Sequence, residues 1–163
     1  MPIPLVRRSH LPLIALLCAF TLAAQTTPKA LPMTQATGTF DVKVAPTANA
    51  PDPTISSFSI NKTFHGGLQA TSVGEMYSAG DPKQGNAGYV AIERVIGTLA
   101  GRTGTIALMH TGIMQTGSTP QMTVTIVPGS GTGQLTGITG TLTITIADGK
   151  HSYTLRYTLP ASE

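Results

Sequence analysis

From Thr39 onward the chain runs in short stretches of alternating apolar and polar residues, each stopped by a Gly-, Pro- or Asp-rich break. No stretch carries the 3.6-residue period of an amphipathic helix. Thr141 to Ile146 is the plainest case, with Thr141, Thr143 and Thr145 alternating with Leu142, Ile144 and Ile146. A period of two places successive side chains on opposite faces of a pleated strand. The runs are Thr39–Val44, Ile55–Phe64, Leu68–Ser78, Ala87–Leu99, Thr105–Gln115, Gln121–Val127, Leu135–Ala147 and Lys150–Leu159. Turn signals separate them, among them His65-Gly66-Gly67, Asp81 to Gly85, Gly101 to Gly104 and, tightest of all, Asp148-Gly149. Connections this short cannot carry the crossovers that parallel strands need. The expected fold is all-β: a closed antiparallel barrel of about eight strands, which leaves no open edge. A β-sandwich satisfies the same alternation and is the alternative architecture.

The first residues follow a different rule. Arg7-Arg8 supplies a positive start, Leu11 to Leu22 an apolar run, and Leu22-Ala23-Ala24 small residues ahead of Gln25. That is the plan of a cleavable signal peptide over residues 1–24, with cleavage near Ala24 and export to the periplasm or medium. The apolar run is well short of the roughly 20 residues that span a bilayer, so no stable membrane anchor is expected. Cys18 evokes a lipobox, but Leu17 stands where a small residue belongs. With the leader removed the chain has no cysteine, and an oxidising compartment neither helps nor harms it.

Residues 25–37, with Pro28 and Pro32 and no periodicity, read as a flexible tether. Residues 38–160 form the barrel domain, one domain in a chain of 163 residues, and 161–163 are a tail. Pro46, Pro51 and Pro53 make Ala45 to Thr54 a loop. Charge excludes one class of partner. Arg7 and Arg8 are two of the ten basic residues; without them eight stand against seven acidic ones, a net of +1. No basic run or basic–aromatic interleaving remains, so no nucleic-acid partner is expected.

Chemistry in such a barrel belongs to ionisable groups on apolar strands, where burial perturbs them. Asp52, Asp81, Asp148 and Glu163 fall in turns or at the terminus, whereas Glu75 and Glu93 sit mid-strand among apolar residues. If the turn after Leu99 pairs Thr98 with Thr105, Glu93 lies opposite His110 and shares its face. Should β-pairing also bring Glu75 beside Glu93, two carboxylates and an imidazole meet, a set able to divide acid and base roles. Tyr89 shares the face of Glu93 and is a ligand-binding candidate. The plain alternative is that Glu75 pairs with Arg94 outside and His110 bonds a neighbour. His65, His110 and His151 lack any metal-ligand spacing, so neither metal nor cofactor is expected. Ser130 lies in Gly129-Ser130-Gly131-Thr132-Gly133, but no helix follows it to bind a phosphate, and a flexible loop is the better reading. Asn61-Lys62-Thr63 fits a glycosylation sequon inside an expected strand.

Several longer stretches carry a family resemblance: Phe64-His65-Gly66, Gly74-Glu75-Met76, Ala87 to Val95, Gly97-Thr98-Leu99, His110-Thr111-Gly112, Pro128 to Gly133 and Asp148 to Tyr153. Over Gly38 to Pro160 the chain resembles a bacterial family known as domain of unknown function 3224. That family is similar in fold to allene oxide cyclase, an eight-stranded antiparallel barrel with a central cavity. The resemblance implies the barrel over the sandwich but transfers no chemistry, since the family has no settled activity. Its members read as cytosolic, so a leader is a departure. Two functions follow as expectations: an exported barrel binding a small apolar ligand in its lumen, or a cyclase- or isomerase-like enzyme using Glu75, Glu93 and His110. Similarity to the cyclase barrels also implies a homo-oligomer, for which Leu142, Ile144 and Ile146 would serve if they point outward.

Overall fold

The computed structural model describes residues 31–161. The expected leader, its cleavage near Ala24 and the first residues of the tether lie outside the described residues. Eight strands follow in order: β1 (Thr34–Pro46), β2 (Ile55–Gly66), β3 (Leu68–Asp81), β4 (Asn86–Leu99), β5 (Arg102–Met114), β6 (Gln121–Ile126), β7 (Thr139–Ala147) and β8 (Lys150–Thr158). Each pairs antiparallel with the next, and β1 pairs with β8, closing a barrel rather than a sandwich.

Closure explains two departures from the sequence reading. The expected tether includes residues up to 37, yet Thr34–Thr37 already pair with Tyr157–Thr154. Ala36 is buried, in phase with Phe40 on the inner face. A lone alanine between polar residues carries little periodic signal, so this start of β1 was not legible. Likewise Leu135–Ile138 is not strand. The chain makes a 3-10 turn at Gly133–Leu135, and Leu135 and Ile138 fold across one end of the barrel, both fully buried. The preceding loop is fixed rather than loose: Ala107 N donates to Ser130 Oγ at 3.0 Å and Thr132 N to the Thr105 carbonyl at 2.9 Å. It prolongs the hydrogen bonding of β5 beyond the end of β6.

The two ends of the barrel differ. The end holding the β2–β3 and β4–β5 turns is packed by Leu68, Leu99, Ile106, Leu155 and the plug of Leu135 and Ile138. Tyr153 ties it down, its hydroxyl accepting from Leu68 N at 2.8 Å and donating to the His65 carbonyl at 3.1 Å. At the opposite end the last inward-phase residues of four strands remain exposed: Val44 (49%), Met114 (38%), Met122 (43%) and Ile146 (63%). Ladder pairing also thins there. β6 meets β7 only at Thr125 and Thr141, and β1 pairing with β8 stops at Phe40 and His151. The β7–β8 hairpin thus keeps its ladder to β1 as far as His151, but beyond Thr141 its β7 side is bonded to β8 alone. A cleft of about 320 Å³ beside Met122 and Ile144 flanks it on one side, and one of about 550 Å³ beside Phe40 and His151 on the other. On β7 the threonines face out, while Leu142 and Ile144 pack inward.

Candidate functional site

β4 and β5 carry the ionisable pair to the middle of the interior. Along β4, Ala91, Glu93 and Val95 alternate inward; along β5, Leu108 and His110 do the same. Ala91 is opposite His110 and Glu93 opposite Leu108, so Glu93 and His110 are diagonal neighbours. His110 Nε2 lies 2.7 Å from Glu93 Oε1. Direct opposition, expected from pairing Thr98 with Thr105, does not occur, because Thr98 pairs with Thr103. The turn is Ala100–Gly101, both at positive φ (49° and 82°), a two-residue connection that suits strand twist. A slip of two residues preserves the face, and long side chains span the diagonal.

Two more strands complete the surroundings of the carboxylate. Lys62 Nζ, from β2, is 2.6 Å from Glu93 Oε1, and Ser72 Oγ, from β3, is 2.6 Å from Oε2. Room for them comes from Gly74, directly opposite Glu93. A Cβ there would stand 2.6 Å from the Cβ of Glu93. The ammonium of Lys62 also lies 5.1 Å from the ring centre of Phe40 and 5.8 Å from that of Phe64. Both ring faces favour a desolvated cation.

Burial is complete: Glu93 is 0% exposed and His110 3%. Burial alone would raise the carboxyl pKa. The hydrogen bond from His110, then the charge and hydrogen bond of Lys62 and the hydroxyl of Ser72, outweigh it and hold Glu93 at about 2. Glu93 is therefore an acceptor only, which puts a hydrogen on Nε2 of His110. Among the described residues no buried side-chain nitrogen or oxygen lacks a partner. Tyr89 lies one step nearer the open end, half-buried, over Gly112, where a Cβ would meet its ring at 2.0 Å. Burial, then the charge of Glu93, raises its phenol pKa. It covers the cluster on the side of the mouth.

Glu75 does not join this cluster. Its register partner is Ile92, so it sits on the outer face, one residue out of phase with Ser72 and Gly74. There it accepts hydrogen bonds from Asn49 and Tyr77. It forms no ion pair with Arg94 among the described residues. The histidines stay apart: His65 is 3.1 Å from Asp41 outside, and His151 stacks on Phe40 with ring centres 5.0 Å apart. Among the described residues no three His, Cys, Asp or Glu side chains gather as a metal would need.

Residues 36–157 match the family "Protein of unknown function (DUF3224)". The chain belongs to the DUF3224 family. A solved relative, a protein of unknown function from the DUF3224 family of Shewanella oneidensis MR-1, is 42% identical. The match covers 80% of this chain and all of that one, with a TM-score of 0.72. No curated protein matches.

Sequence reasoning missed Lys62, Ser72 and Gly74 in this family member. Lys62 had a signal: it interrupts an inward series at Ile60 and Phe64, where a lysine has no business without a partner. Ser72 and Gly74 had none, being small residues in a strand of mixed character.

Proposed function

We propose that the protein is an exported barrel that binds a small apolar molecule at its open mouth, above the Glu93 cluster. The observation that carries this reading is the asymmetry of the ends: one is plugged, the other presents Val44, Met114, Met122 and Ile146 to water. Keeping apolar surface wet costs about 25 cal/mol per Å², which an apolar occupant recovers. Beside this rim the cleft between β6 and β7 is lined by Met122, Val124, Leu142 and Ile144, and a mostly apolar lining is the usual character of a small-molecule site. Tyr89 supplies the polar group nearest the rim. The thin seam between β6 and β7 beyond Thr141 supplies a way in.

The enzyme reading has less support. Glu75 is outside, and Glu93 is fully buried, ionised and bonded to three donors. The cluster serves better as a polar tie holding four strands around the floor of the site.

Titration of the purified full chain with the apolar fluorophore 1-anilinonaphthalene-8-sulfonate tests the binding reading. Saturable binding is expected, weakened about tenfold or more by Met122→Asp, since a charge in an apolar site is costly. Ile92→Glu, on the outer face, should leave it unchanged. Absence of saturable binding, or loss with Ile92→Glu but not with Met122→Asp, overturns the site.

A further inference from the structure

The outer surface of the barrel is hydroxyl-rich on most strands and apolar on three. β2 presents Ser59, Asn61 and Thr63, β6 Thr123 and Thr125, and β7 Thr139 to Thr145 at every second position. β3, β4 and β5 instead present Val73, Val90, Ile92, Ile96, Met109 and Ile113, each between 44 and 59% exposed. Registers make these contiguous. Ile92 lies between Glu75 and Met109, Val90 beside Tyr77, and Ile113 opposite Gly88. Three strands wide and about five side-chain rows long, this face covers roughly 400 Å² by strand spacing and rise, with Thr71, Thr105 and Thr111 among its apolar side chains. That is about half of what one partner contributes to a standard interface.

Two opposite charges sit within it. Glu75 pairs across the ladder with Ile92, and Val73 with Arg94. These four residues form a quadrilateral with Glu75 and Arg94 on one diagonal, Val73 and Ile92 on the other. A two-fold axis lying in the interface along the Val73–Ile92 diagonal brings Glu75 of each copy against Arg94 of the other. The same operation stacks the aliphatic groups on their own counterparts. An isologous contact has this self-complementarity. From the patch and its charges we infer that the β3–β4–β5 face joins two copies of this chain. The face built from Leu142, Ile144 and Ile146 is not available for this, because Leu142 and Ile144 pack inside.

Sedimentation equilibrium of the purified full chain from about 1 to about 100 µM reads the association directly. A dimer is expected. Ile92→Glu, at the centre, should weaken it about thirtyfold or more, the scale of a central hot spot. Arg94→Glu should weaken it too, and adding Glu75→Arg should restore it. Far-ultraviolet circular dichroism of each variant establishes that the barrel is intact. A monomer throughout, a dimer indifferent to Ile92→Glu, or a charge swap that fails to restore association each overturns the proposal. So does sedimentation only with added anionic lipid vesicles, which would assign the patch to a lipid surface.

Discussion

Glu93 accepts hydrogen bonds from side chains on three different strands, so protonating it loosens β2, β3 and β5 from β4 together. In the unfolded chain a glutamate titrates near 4.5; in the barrel it is held at about 2. A depressed folded pKa contributes stability that is fully present above about 4.5 and is lost as pH falls toward 2. The gap corresponds to about 3 kcal/mol. Urea unfolding between pH 2.5 and 7 should show this loss in the wild type. Glu93→Gln should be less stable at pH 7 by about 3–5 kcal/mol, because Lys62 is left buried and unpaired, and its pH dependence should be flatter. Should that variant not fold, Glu93→Gln with Lys62→Met removes both charges and tests the same slope. An unchanged slope would take the titration away from Glu93. At this scale the sequence revealed half of the site. Glu93 and His110 were legible because a register error of two keeps the face. Glu75 misled because β3 is apolar on both faces, Leu68, Ala70 and Met76 on one and Val73 and Tyr77 on the other. Parity within such a strand does not say which face is inside.

Elements were read well where alternation is strict and poorly where the chain closes the barrel end. β7 and β8 meet at Asp148–Gly149, both at positive φ, as an Asp-Gly hairpin demands. The run from Leu135, by contrast, looked like the start of β7. Two glycines at positive φ, Gly133 and Gly137, instead let Leu135 and Ile138 turn over the closed end. Substitutions at the two ends should therefore differ sharply. Leu135→Ala empties a packed position and should cost about 2–5 kcal/mol in denaturant unfolding. Ile146→Ala, at the exposed lip, should stay within about 0.5 kcal/mol. Equal losses at both positions would mean that both ends are plugged, and the apolar mouth would disappear with that result.

The whole barrel is closed, yet its closure is uneven. β3 and β4 are paired along fourteen positions, from Leu68 with Leu99 to Asp81 with Asn86. β7 and β8 are paired with each other over nine, and β8 with β1 as far as His151, but beyond Thr141 β7 has no ladder partner other than β8. A strand bonded along one side only is an edge. The mouth half of β7, Thr143 to Ala147, should therefore open as a local unit well below the free energy of global unfolding. Native-state hydrogen exchange is expected to show amides of Thr143–Ala147 at least about a hundredfold less protected than those of Val73–Tyr77 and Val90–Val95. Molecules that occupy the mouth bridge β7 to β6, so a saturating apolar fluorophore should raise protection there and leave the β3–β4 ladder unchanged. Uniform protection around the barrel would remove the β6–β7 seam as an entrance, and a ligand would then have to enter along the barrel axis, past Tyr89.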